Sequence, residues 1–313
     1  MSLAFVVGTG RCGSTLLSRM LESSPEILSL SEFFTVIGPD RAFGPACLDG
    51  RALWRLIGEQ SADASALLSS ASIPEVVARP SATHFREIPP LMLVTLPRLT
   101  DEPEKLHRDL RTEIEGLPVQ PTAAQYSHVF EWLRLRFGKR VVVERSGGSL
   151  AYAGVLARLF PSARFIHICR DGPECAYSMS RHPYFRVLVT RLVRRNPDLS
   201  IAECLKLDVP ADRYGAFWSA TAIRGLAALN PLGSDRLLHV AFEQLCREPA
   251  STLRRIAEFL DLTDCDGLRQ SASLVQKVEP RLPHLPPDTR NAIERTCRPG
   301  TRALAELSQV MAR

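Results

Sequence analysis

Four short runs along the chain are apolar at nearly every position: LAFVVG at 3–8, KRVVVER at 139–145, ARFIHICR at 163–170 and RLLHVAF at 236–242. Apolar character that is continuous rather than alternating predicts parallel strands covered on both faces. EILSLSE at 26–32 supplies a candidate fifth strand. Between and after these runs the spacing turns helical, in STLLSRMLES from Ser14, SLAYAGVLARLF from Ser149, PECAYSMSRH from Pro173 and ASTLRRIAEFL from Ala250. Strands alternating with helices predict a three-layer α/β fold around a central parallel sheet of about five strands.

Two stretches break this rhythm. Residues from about 39 to 135 carry Pro89, Pro90, Pro97, Pro103, Pro118 and Pro121 between short amphipathic segments, and read as a mostly helical insertion. Residues from about 183 to 230 form a second helical excursion. There is no internal repeat, low-complexity tract or long linker, so a single domain over residues 1–313 is expected, with the insertions covering one sheet.

Composition narrows the function classes. With 313 residues, 45% of them hydrophobic, a sizeable core is available. The net charge of +5 is too small and dispersed for a nucleic-acid surface, yet suits an anionic ligand. Eight cysteines without a C-x-x-C pair indicate neither a disulfide framework nor a zinc site, and point to a reducing compartment. The opening MSLAFVVG reads as a buried strand rather than a signal. No apolar stretch approaches the roughly 18 residues of a membrane helix. A cytoplasmic location without integral membrane association is therefore expected, unless a membrane-bound substrate draws the chain to a surface.

The chemistry begins at GTGRCGST, residues 8–15. Gly10 and Gly13 permit the dihedrals with which successive amides face one point before the helix from Ser14. Converging amides at the positive end of a helix make an anion site, and Arg11 adds a forked cationic donor. The lysine of a nucleotide-hydrolysing G-x-x-x-x-G-K-[ST] loop is missing. A second motif, FIHICRDGPECAYS, places Arg170 at a strand end and Ser178 eight residues on, with Pro173 in the first helical turn and Asp171 as a cap or an orienting partner for Arg170.

Together these motifs resemble the sulfotransferases that use 3′-phosphoadenosine 5′-phosphosulfate, in the form found in bacterial and tyrosylprotein sulfotransferases. The resemblance covers residues 1–36 and about 139–262. It includes Arg11-Cys12-Gly13-Ser14-Thr15, the Arg170 and Ser178 spacing, ERSGGS at 144–149 and HVAFEQLCREPASTLRRIAEFLDL. It implies a P-loop-like fold and transfer of a sulfuryl group, without a required metal, to a hydroxyl or amine of a small-molecule or lipid-like acceptor. The product would be adenosine 3′,5′-bisphosphate. Arg11, Cys12, Gly13, Ser14 and Thr15 would hold the 5′-phosphosulfate, and Arg170 with Ser178 the 3′-phosphate. Arg145 would neutralise charge on the transferring group, Glu32 would act as base, and the insertion would form the acceptor pocket.

Some positions depart from the family pattern. Cys12 stands where Ser or Thr is usual; it is either a small tolerated side chain or an activated thiol at a helix N-terminus. Phe242 replaces a tyrosine, and CRPGTR at 297–302 is only a weak counterpart of the C-terminal phosphate loop. Glu144 is the alternative base, although its position suits a partner that orients Arg145. His167 is expected in the core, and His84, His107 and His128 in solvated positions. Two other functions stay open: a small-molecule kinase, and a catalytically idle nucleotide-binding protein of the same fold.

Overall fold

The computed structural model describes residues 2–59, 88–276 and 279–311. Its five-stranded sheet is built from β1 (Ser2–Val7), β2 (Ile27–Ser31), β3 (Val141–Arg145), β4 (Arg164–Cys169) and β5 (Leu237–Ala241). The spatial order is β2-β3-β1-β4-β5, and all four pairings are parallel. The chain leaves β1 toward one edge and later crosses back over it to reach β4. The carboxyl end of β1 is thus a topological switch point, where open α/β sheets form their ligand crevice.

The strands alternate between two cores. Leu3, Phe5, Val7, Leu28, Leu30, Val142 and Phe165 belong to one, and Ala4, Val6, Ile27, Val141, Val143, Ile166 and Ile168 to the other. This two-sided burial is why the strands read as unbroken apolar runs. On the first face the insertion contributes aromatic mass. Tyr126 and Phe130, in the helix Thr122–Arg136, pack edge-on against Phe33 and Phe34 of α2 (Phe33–Ile37) at ring separations of 5.0–6.1 Å. The buried Tyr126 hydroxyl donates to the Ala42 carbonyl at 2.8 Å.

The second face is covered by α1 (Ser14–Glu22), α3 (Gly172–Ser180), α5 (Ala211–Leu229) and α6 (Pro287–Met311), with α4 (Pro183–Arg194) beside them. Residues 297–302, CRPGTR, lie inside α6 rather than in a phosphate-binding loop. There the Gly300 amide donates to Ser219 Oγ at 2.6 Å, and a Cβ at Gly300 would sit 2.8 Å from the Ser219 backbone, so the segment is specified by helix packing.

The histidines divide. His167 is a core residue, its Nδ1 sharing a hydrogen bond with Nδ1 of His239 at 2.9 Å across the β4–β5 pair. His107, expected in solvent, is instead buried: its Nε2 lies 2.8 Å from the Gly58 carbonyl, its ring is 4.6 Å from Trp54, and burial lowers its pKa. His128 is half-buried beside Glu113, and His84 lies outside the described residues.

Candidate active site

The chain emerging from β1 turns tightly against β4, since a Cβ at Gly8 would approach the Ile168 carbonyl to 2.8 Å. Gly10, Arg11 and Gly13 then adopt left-handed backbone, with φ of 87°, 55° and 91°. For Arg11 this conformation carries strain that the surroundings must hold. Two rings do so. Any side chain at Gly10 would collide with Phe185, and any at Gly13 with Phe242, so these aromatics define the space in which the loop fits. Gly13 is the N-cap of α1 and supplies no side-chain cap, leaving the amide end of the helix turned to the loop.

Arg11 Nε donates to Ser178 Oγ at 3.2 Å, joining the loop to α3. Arg170 takes a different direction. Its guanidinium lies over the Phe242 ring at 4.9 Å and 3.7 Å from the Glu174 carboxylate. The structure thus brings Ser178 to Arg11, whereas Arg170 lies over Phe242, whose ring packs on Gly13. Asp171 caps α3, accepting from the Glu174 amide at 2.9 Å. Glu174 Oε1 in turn accepts the amides of Arg281 and Leu282 at 2.8 and 2.9 Å, tying the C-terminal segment to this helix. Cys12 is fully buried, and burial pushes its thiol pKa up, so the activated-thiol reading is corrected: the side chain is a small core group.

Glu32, just past β2, also has left-handed backbone (φ 59°) and is buried. Its Oε1 accepts from Arg145 Nη1 and its Oε2 from the Gly147 amide at 2.8 Å, while Arg145 Nη2 donates to Ser31 Oγ at 3.3 Å. Arg145 Nε is buried without a hydrogen-bond partner. Glu144 does not orient Arg145, as its place in the sequence suggested. Successive strand residues point to opposite faces, so Glu144 faces the other core and accepts from Ser146 Oγ at 2.5 Å. Ser146 Oγ itself accepts the amides of Phe34 and Thr35 at 3.1 and 3.2 Å, which fixes the turn that carries Glu32. Burial pushes the Glu144 carboxyl up to about 8, against the opposing effect of the Ser146 hydrogen bond.

A cavity of about 400 Å³ opens over the loop. Gly10, Arg11, Ser14, Thr15, Glu32 and Arg145 share one part of its wall, and Leu93, Val94, Val187, Leu188 and Ile201 form an apolar part. Its walls come from 32–41, from the insertion at 93–94, and from α4 with the segment after it. A second cavity of about 630 Å³ is bordered by Arg170, Phe242, Glu243, Cys246 and Arg247. Phe185 and Phe242 are the residues that sequence reasoning missed as shapers of the loop. Only the proline two residues before Phe185, marking a helix start, hinted at a fixed position.

A glycine loop running from the central strand of a parallel sheet into an uncapped helix, with a cavity at the strand ends, defines a P-loop-like nucleotide-binding fold. The family model described as "Sulfotransferase family" matches residues 4–266, and the chain belongs to that family. Two solved structures are similar in fold. The sulfotransferase domain from the curacin biosynthetic pathway has a TM-score of 0.56 at 14% identity, with 98% of each chain covered. The sulfotransferase domain of the Synechococcus PCC 7002 olefin synthase has a TM-score of 0.50 at 19% identity, with 94% of each covered.

Glu144 gives stability a defined pH dependence. Its folded pKa is raised above the unfolded value, so the folded state binds more protons between about 4.5 and about 8, and stability falls as pH rises through that window. His167 and His239, depressed to about 3 and about 4 by burial, act in the opposite sense only below their usual value of 6.5. Between pH 6.5 and 8 the Glu144 slope, at most about 1.4 kcal/mol per pH unit, is unopposed by them. Urea denaturation at several pH values between 6.5 and 8 should show this decline for the wild type and a much flatter profile for Glu144→Gln. An equal slope in both would mean that Glu144 is ionised in the folded state.

Proposed function

We propose that the chain transfers a sulfuryl group from 3′-phosphoadenosine 5′-phosphosulfate to a hydroxyl or amine of a small-molecule or lipid-like acceptor, by in-line displacement at sulfur. The observation that carries this reading is the shared cavity wall: Arg11, Ser14 and Thr15 of the loop stand with Glu32 and Arg145, next to an apolar region. The residues fit an anionic donor. The loop amides are shaped by two glycines that admit no side chain, α1 is uncapped, and the buried Arg145 Nε has a donor to give. The donor supplies the sulfuryl group and departs as adenosine 3′,5′-bisphosphate.

In this reading Arg11 and the amides of Cys12 to Thr15 bind the 5′-phosphosulfate, and Arg170 with Ser178 bind the 3′-phosphate. Both of the latter reach the loop, Ser178 through Arg11 and Arg170 across Phe242, which supports assigning that side of the loop to the second phosphate. Arg145 stabilises charge developing on the transferring group, and Glu32 takes the acceptor proton. Leu93 and Val94 of the insertion, with α4, form the acceptor wall. Glu32 lining the same cavity as the loop favours an enzyme over an idle binding protein. The missing loop lysine disfavours a kinase. All eight cysteines are free thiols, which agrees with a reducing, cytoplasmic setting.

Donor recognition is tested by calorimetry. Adenosine 3′,5′-bisphosphate should bind far more tightly than AMP. Arg170→Ala, removing charge-assisted hydrogen bonds of about 1.5–3 kcal/mol, should weaken it by about 10- to 150-fold. Equal affinity for AMP and the bisphosphate would remove the assignment of Arg170.

The base is tested separately. General-base catalysis contributes about 10²- to 10⁴-fold, so Glu32→Gln should lower turnover by about that factor while leaving bisphosphate affinity near the wild-type value. Because the substitution also breaks a buried ion pair, thermal unfolding is measured on the same sample. Near-normal turnover at a temperature where the variant is folded would make Glu32 a structural partner of Arg145.

A further inference from the structure

We propose that the outward face of α4, at the lip of the first cavity, docks onto the surface of an anionic lipid bilayer. Tyr184, Leu188, Arg191 and Leu192 recur at three- and four-residue spacing, so they share one side of the helix, with the exposed Arg195 just past its end, while Phe185, Val187, Val189 and Thr190 are buried. Leu192 is 61% exposed and Leu188 38%, so two leucines one turn apart present apolar surface to solvent on the same side of the helix. Tyr184, Leu188 and Arg191 also line the cavity. The exposed apolar stripe therefore continues inward to Val187 and Ile201.

Charge points to the same partner. Residues 181–206 contain six Arg or Lys against two Asp or Glu, which is nearly all of the chain's net +5. Arg186 and Arg191 donate to the main-chain carbonyls of Leu205 and Leu199, bonds that fix the guanidinium groups without cancelling their charge. Glu203 is engaged by the Ser200 amide and hydroxyl. Protruding leucines among arginines are the chemistry of a helix that lies in a bilayer interface. An acidic protein would match the charge but offers no apolar phase continuous with the cavity, whereas a bilayer does. An amphiphilic acceptor would then pass from the leaflet into the cavity without crossing water. Among the described residues no helix is long and apolar enough to cross a membrane, so the association is peripheral.

The test is co-sedimentation of the full chain with vesicles of phosphatidylcholine, with and without phosphatidylglycerol, and needs no sulfuryl donor. Its failure would leave the catalytic reading standing. Binding should require phosphatidylglycerol and weaken with added salt. It should fall at least about tenfold in Leu192→Asp and in Arg195→Glu, exposed positions outside the cavity lining whose substitution leaves the fold intact. Absence of binding to the anionic vesicles, or unchanged binding in both variants, would overturn the proposal. So would light scattering that shows a dimer dispersed by Leu192→Asp, or vesicle-independent binding to polyglutamate, which would assign the face to a second copy or to an acidic protein.

Discussion

A guanidinium that is 2% exposed at the end of a central strand is tolerable only if its charge is met where it sits, and Glu32 meets the charge of Arg145. The pair sets several other features. It holds the end of β2 against the end of β3, where the Glu32 amide also donates to the Arg145 carbonyl at 2.7 Å. It requires Glu32 to turn back immediately after the strand, which explains left-handed backbone at a residue type that rarely adopts it. The turn is then secured from the other face of the sheet, where Ser146 bridges neutral Glu144 to the amides of Phe34 and Thr35. Replacing either charge alone would leave its partner buried and unmatched.

The glycine loop depends on packing in a similar way. Its amides have no side-chain scaffold of their own, and three departures into left-handed backbone within the four residues from Gly10 to Gly13 would not persist without external walls. Phe185 from the helical excursion and Phe242 from the start of the segment after β5 provide them, each filling the volume that a side chain at Gly10 or Gly13 would occupy. The helical excursion therefore shapes the glycine loop as well as the cavity wall. The shared lining confirms the neighbourhood, since Gly10, Phe185 and Val187 border one cavity.

The strands were legible because burial on both faces leaves little choice of residue, and the five runs read from the sequence fall within a residue or two of β1 to β5. Asp171 as a helix cap and His167 as a core residue were legible for the same reason: each depends on a local pattern. What could not be read were partnerships between distant positions. Arg145 and Glu144 are adjacent in sequence, yet the strand period of two sends them to opposite faces and to different partners. His107 sits in a polar stretch, Lys105-Leu106-His107-Arg108, and only the tertiary fold reveals that Gly58 and Trp54 enclose it. Ser178 was placed with Arg170 by their eight-residue spacing from strand end to helix, but the side chain that donates to it is the loop arginine, Arg11.

The charge balance at the cavity connects these points to anion binding. Four arginines line it, Arg11, Arg41, Arg145 and Arg191, against Glu32 and Asp40, so the wall carries a positive excess even after Arg145 and Glu32 pair. Glu144 lies directly behind that pair on the same strand, and were it ionised, its negative charge would offset part of the excess through a low-dielectric core, where screening is weak. Its burial keeps it protonated near neutral pH. The fold thus uses desolvation of one carboxyl, rather than the loss of a hydrogen-bonding group, to anchor the Glu32 turn without giving up the positive potential of the cavity wall.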